Sequence, residues 1–87
     1  MLKVLYAPSF LRSLASLDEE LREEAFEKIE LFQNRANHRL LKTHKLKGRL
    51  AGRFSFSVNY RFRIVFAYQS KNEAVLLAIG DHEMYRA

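Results

Sequence analysis

The run from Arg53 to Tyr68, RFSFSVNYRFRIVFAY, limits the possible folds of this chain more than any other stretch. Phe54, Phe56 and Val58 alternate with Ser55, Ser57 and Asn59, and Phe62, Ile64 and Phe66 alternate with Arg61, Arg63 and Ala67. A period of two in apolar residues marks strands buried on one side. A two-residue loop at Asn59 and Tyr60 would set Val58 opposite Arg61 and send the two apolar rows to opposite faces. A three-residue loop, Asn59 to Arg61, pairs Val58 with Phe62 and Phe56 with Ile64, so the expected unit is a β-hairpin of that register. One face is then an aromatic wall for a core. The other sets Ser57 beside Arg63 and carries Arg53, Ser55 and Arg61, with room for function.

The rest of the chain supplies what covers that wall. Lys3 to Ala7 has strand character, and Pro8 with Ser9 ends it and opens a helix, since proline is tolerated in a first turn. Phe10, Leu11, Leu14 and Leu17 give that helix an apolar stripe of about two turns. Asp18 is suited to cap a second helix, whose Glu19, Glu20, Glu23 and Glu24 sit where the positive end of the helix dipole favours them. Leu21, Ala25, Ile29 and Phe32 form its buried stripe, and Glu24 with Lys28 reads as an i,i+4 pair on a solvated face. Asn34 to Gly52 has no periodicity and reads as a basic connection, open to a ligand, with a helical turn at Arg39 to Lys42. His38 reads as a surface residue. Ser70, Lys71 and Asn72 make a turn, Ala74 to Ile79 an inner strand, Gly80 a break, and Asp81 to Tyr85 a last turn.

The order strand, helix, helix, then a three-stranded antiparallel meander predicts an α+β fold with the helices packed on one face of a small sheet. The opposite face is expected to receive the basic segment and the C-terminal turn. Eighty-seven residues support one core, so residues 1–87 are expected to form one domain. The absence of cysteine removes disulfides and thiolate metal sites and fits a reducing compartment, so a cytoplasmic location is expected. The longest apolar run falls far short of the ~18 residues that mark a membrane span, and no membrane association is expected. Between Leu31 and Asn72 there is no aspartate or glutamate among ten lysines and arginines, which is the footprint of a polyanion-binding surface.

No phosphate-cradling glycine loop, catalytic carboxylate pair or metal-ligand spacing is present, so neither a metal nor a small-molecule cofactor is expected. What remains suits phosphodiester chemistry without a metal. His44 and His82 can move protons, Lys45, Lys47, Arg49, Arg53, Arg61 and Arg63 can hold phosphate, Ser55 and Ser57 can add hydroxyls, and Tyr85 offers a phenol. RNA brings its own nucleophile, the 2′-hydroxyl. An enzyme then needs a base, an acid and cations for the charge that develops on phosphorus.

Three motifs in order, His44-Lys45-Leu46-Lys47-Gly48, then FSFSVNYRFRIVF, then AVLLAIGDHEMYR, resemble the RelE/ParE superfamily of type II toxin–antitoxin toxins. The resemblance covers most of the chain. It implies the RelE-like, microbial ribonuclease-like fold, a cognate antitoxin as partner, and, from the histidine-bearing ending, a RelE- or YafQ-like mRNA interferase that cuts mRNA on the ribosome. By the same resemblance Arg63 contacts the scissile phosphate, His82 matches a position held by a catalytic histidine or arginine, His44 matches the histidine before the LKG turn of the YafQ-like branch, and Tyr85 matches a C-terminal aromatic used in base stacking or proton transfer. The chain departs from RelE at Ser55 and Ser57, which replace lysines, and from YafQ-like enzymes at Ser57 and Arg61. Which residue is the base and which the acid stays open. The alternative implied by the superfamily is a non-enzymatic, ParE-like inhibitor of DNA gyrase.

Overall fold

In the computed structural model, which describes residues 1–81, the aromatic hairpin is the centre of a five-stranded mixed sheet. The chain runs β1 (Lys3–Tyr6), α1 (Pro8–Ala15), α2 (Glu19–Phe32), β2 (His44–Lys45), β3 (Phe54–Ser57), β4 (Phe62–Ser70) and β5 (Glu73–Asp81). The strand order across the sheet is β1-β5-β4-β3-β2. This is the expected α+β class, with the meander of β3, β4 and β5 at its heart.

The hairpin has the register that the apolar rows demanded. Phe54 pairs with Phe66, Phe56 with Ile64 and Ser57 with Arg63, and Val58 N–H donates to the Phe62 carbonyl at 2.9 Å, leaving Asn59 to Arg61 as the loop. The strand β5 is inner, as expected, with β4 antiparallel on one side and β1 parallel on the other. Placing β1 there settles what the sequence left unstated, how the first strand joins the sheet.

The helices form where local chemistry directs them. Pro8 opens α1, and the Asp18 carboxylate accepts from Leu21 N–H at 2.9 Å to cap α2. Phe10 and Leu14 of α1 and Ala25, Ile29 and Phe32 of α2 are buried against Phe56, Ile64, Phe66, Ala74, Leu76 and Ile79 of the sheet. Phe32 stacks on Phe56 with ring centroids 4.2 Å apart and meets Phe66 edge-on at 4.7 Å. Burying each such ring stabilises the fold by roughly 1.5–3 kcal/mol, and offset or edge-on pairs add to this.

Several local expectations change. Glu24 and Lys28 do not pair with each other among the described residues; Glu24 Oε1 accepts from Asn59 Nδ2 at 2.9 Å and Lys28 Nζ donates to the Val58 carbonyl at 3.0 Å. Both tie α2 to the end of the hairpin. Helical structure in the connection begins earlier than Arg39, as a 3-10 turn at Arg35–Asn37. His38 is half-buried rather than a free surface residue: its ring stacks on Phe32 at 4.6 Å and its Nε2 donates to the Phe32 carbonyl at 2.7 Å. It satisfies a carbonyl that the end of α2 leaves open. Gly80 does not break β5, because it pairs with Arg63, and Asp81 continues the strand opposite Phe62 instead of starting a turn. The basic connection does not lie across the sheet face; through β2 it extends the sheet at the edge of β3.

Candidate functional site

The face of the hairpin turned away from α2 brings part of the expected site together. Ser57 and Arg63 are direct cross-strand partners, and the Arg63 guanidinium donates to Ser57 Oγ. Both are half-buried. The serine holds a planar guanidinium, the group whose fork geometry matches phosphate oxygens. Gly80 stands opposite Arg63 on its other side, so no side chain from β5 competes for the space at that register position.

His44 reaches the same face by way of β2. It pairs with Ser55, and residues paired across an antiparallel ladder share a face, as do residues two apart on one strand. His44, Ser55, Ser57 and Arg63 therefore lie on one side of the sheet. From strand spacing and rise, the Cα atoms of His44 and Arg63 are roughly 12 Å apart, a gap that two long side chains and a phosphodiester can fill.

The His44 ring is oriented by the backbone. Its Nδ1 lies 2.9 Å from the Lys42 carbonyl. A carbonyl oxygen can only accept, so Nδ1 carries the proton and Nε2 of the neutral ring is left as the basic nitrogen. The carbonyl is placed by an unusual residue: Lys42 has φ 56, the left-handed region that a non-glycine residue seldom adopts. Lys42 N–H donates to the Arg39 carbonyl at 3.0 Å and Thr43 N–H to the His38 carbonyl at 2.9 Å, the paired bonds that close a helical turn around a left-handed residue. Sequence reasoning missed this role of Lys42. Asparagine or glycine would have signalled such a turn, and lysine does not.

The phosphate-binding candidates divide. Lys45, Lys47, Arg49 and Arg53 are all exposed, on and around the β2–β3 connection. Gly48 (φ 66) and Gly52 (φ 91) supply its left-handed corners, and Leu46 N–H closes its neck on the Arg53 carbonyl at 2.9 Å. Lys45 pairs with Phe54, so strand alternation places it on the helix-side face at the sheet edge, across from His44's side. Arg61 is exposed with its guanidinium 5.5 Å from the Phe62 ring centre. Ser55 shares the face of Arg63 but is fully buried, and its Oγ has no hydrogen-bond partner among the described residues. It is not a surface hydroxyl, contrary to its expected place on an open face. His82 and Tyr85 lie outside the described residues. Among the described residues no cluster of histidine, aspartate and glutamate could hold a metal ion, and no helix is long and apolar enough to cross a membrane.

No family model matches the chain, and no curated protein does. Solved structures do. A conserved hypothetical protein from Helicobacter pylori matches with a TM-score of 0.72 at 22% identity, over 95% of this chain and 97% of that one. The toxin of a YoeB–YefM complex from Staphylococcus aureus gives 0.70 at 20% identity over 94% and 98% of the two chains. A YafQ variant from E. coli gives 0.72 at 11% identity over the full length of both. At these identities the likeness establishes the fold, and the chain has the fold shared by the RelE, YoeB and YafQ toxin structures.

Proposed function

We propose that this protein is the toxin of a type II toxin–antitoxin system and acts as a ribosome-dependent, metal-independent mRNA endonuclease. The observation that carries the reading is the presence, on one sheet face, of a serine-held Arg63 and of a His44 ring whose Nε2 is left as base. Two further supports are the basic β2–β3 connection and the toxin fold. The ribosome requirement rests on the resemblance to RelE- and YafQ-like interferases.

In the proposed reaction the 2′-oxygen of the RNA attacks the adjacent phosphorus and the bond to the 5′-oxygen breaks. The products are a 2′,3′-cyclic phosphate and a 5′-hydroxyl. In this reading His44 Nε2 takes the proton from the 2′-hydroxyl or, when protonated, gives one to the 5′-oxygen; His82 takes the other role and Tyr85 assists. Arg63 meets the charge that builds on the non-bridging oxygens, where fixed donors do most for the rate. Lys47, Arg49 and Arg53 hold flanking phosphates. An antitoxin with an acidic or amphipathic segment would silence the toxin by covering this basic face or packing beside the helices.

The test is primer extension on a reporter mRNA in a coupled translation reaction, with and without ribosomes. Ribosome-dependent cutting by the wild type that is lost in His82→Ala supports the reading. Intact mRNA together with inhibited DNA supercoiling would replace it with the gyrase alternative.

A further inference from the structure

The hairpin loop presents an aromatic ring to solvent on an unusually well-held support. Tyr60 is 92% exposed. On its N-terminal side, Asn59 Oδ1 accepts from the N–H groups of Arg61 at 2.9 Å and Phe62 at 2.7 Å, while Asn59 Nδ2 reaches Glu24 and Lys28 holds the Val58 carbonyl. The loop is thus pinned both within itself and to α2. An exposed tyrosine on such a mount contributes nothing to the core, yet the backbone that carries it is held before any ligand arrives, which lowers the entropy lost on binding.

Beside Tyr60 lies a groove of about 340 Å³ between the hairpin loop, the C-terminal half of α2 and the turn ending at Lys42. This is near the lower end of the ~300–1,000 Å³ range of ligand pockets. Its apolar lining comes from Leu31, Leu40, Leu41 and Val58, with Leu40 itself 72% exposed. The charged residues in its lining are Lys28 and Lys42, and exposed Arg61 follows Tyr60. Glu24, one helical turn before Lys28, is engaged by Asn59. Ser57 lines the groove and also receives the Arg63 guanidinium, so the groove and the proposed phosphate site share a residue.

We propose that this groove is a nucleobase subsite: a base next to the scissile phosphate of single-stranded RNA stacks on Tyr60 over the leucine floor, with its own phosphate near Lys42 and Arg61. The inference rests on the endonuclease reading for the position of the cut, but the subsite itself is a statement about binding. An aromatic platform with flanking cations is the common means of holding single-stranded nucleic acid, tolerant of sequence because every base has a π-face. An amphipathic helix is the poorer fit, since it anchors through residues spread over two turns, whereas this groove has room for one flat group.

The test uses the full chain and an oligoribonucleotide of about six nucleotides, within the ~4–16 that such sites cover. The RNA carries 2′-O-methyl groups throughout so that it cannot be cleaved, and binding is followed by fluorescence anisotropy at low salt. Tyr60→Ala is expected to weaken binding about tenfold, the usual scale for one lost stacking partner, and Tyr60→Phe to restore it. Removing one base at a time from the RNA should reproduce that loss in the wild type at a single position and cost nothing further at that position in Tyr60→Ala. Additive losses, unchanged binding in Tyr60→Ala, or no binding by the wild type would overturn the subsite, even if the wild type cuts mRNA on ribosomes. Loss of a bound protein partner in Tyr60→Ala with RNA binding intact would overturn it in favour of a protein-docking groove. Failure of mRNA cleavage with the base-specific coupling present would leave the subsite standing and remove the reaction.

Discussion

The two faces of one hairpin have opposite chemistry, built from alternate residues of the same strands. On the helix side, Phe56, Ile64 and Phe66 are completely buried and Phe54 partly, with Phe32 of α2 stacked among them. Three residues from Phe66, across the sheet, Arg63 is half-buried and bonded to Ser57, and His44 stands exposed at the end of the same face. The aromatic face has no freedom to vary without a cavity. The other face is mixed: Ser55 and its partner Val65 are buried there, while Ser57 and Arg63 are half-buried and His44 is exposed at its edge. The contrast shows how a chain this short can carry a stable core and a charged site together: period two assigns them to opposite sides of the same backbone.

The largest expected effect comes from the packed face. Phe56→Ala should lower the unfolding free energy by about 3–5 kcal/mol in a urea titration, a large part of what a small domain possesses. A loss below about 1 kcal/mol would mean that the aromatic stack is not the core. On the open face, His44→Ala should reduce the rate of mRNA cleavage by about 10²–10⁴, the usual range for a lost proton-transfer group, while its urea midpoint stays near that of the wild type. A variant that cuts normally would remove His44 from the chemistry.

Between the faces, Asn59→Ala takes an acceptor from two backbone N–H groups and a donor from Glu24. It should cost about 1–2 kcal/mol and speed amide exchange at Arg61 and Phe62 first. Unchanged exchange there would show that the loop is held by its backbone alone. The smallest effect is expected from Lys47→Ala, which should shift stability by less than about 0.5 kcal/mol. For RNA binding, its slope of log affinity against log salt should become shallower by about 0.7, one phosphate contact. An unchanged slope would place Lys47 outside the interface.

How much of this could be read from the residues follows the same division. The hairpin register was legible because three apolar residues on each strand rule out a two-residue loop and a three-residue loop keeps both rows on one side. Asp18 was legible as a cap, and the buried stripe of α2 as a face. The pairing of β1 with β5 was not, since a four-residue strand without a strong alternation carries no register of its own. Gly80 read as a break because glycine often is one; inside β5 it stands opposite a bulky Arg63, where the lack of a side chain fits. The strand β2 is two residues long, too short for any period, so the step that brings His44 onto the Arg63 face was invisible. Alternation also gave the face of Ser55 correctly without giving its burial, because a period says which side a residue takes and not what lies there. The roles expected for His82 and Tyr85 fall on residues beyond the described ones.

Arg63→Ala tests the division of the two faces most directly, with urea unfolding and ribosome-programmed mRNA cleavage measured on the same preparation. The predicted result is a folded variant with a near wild-type unfolding midpoint whose cleavage is slower by about 10²–10³, the scale of one lost electrostatic donor. A folded Arg63→Ala protein that cuts at the wild-type rate, or one that fails to fold, would contradict the assignment of that face to chemistry.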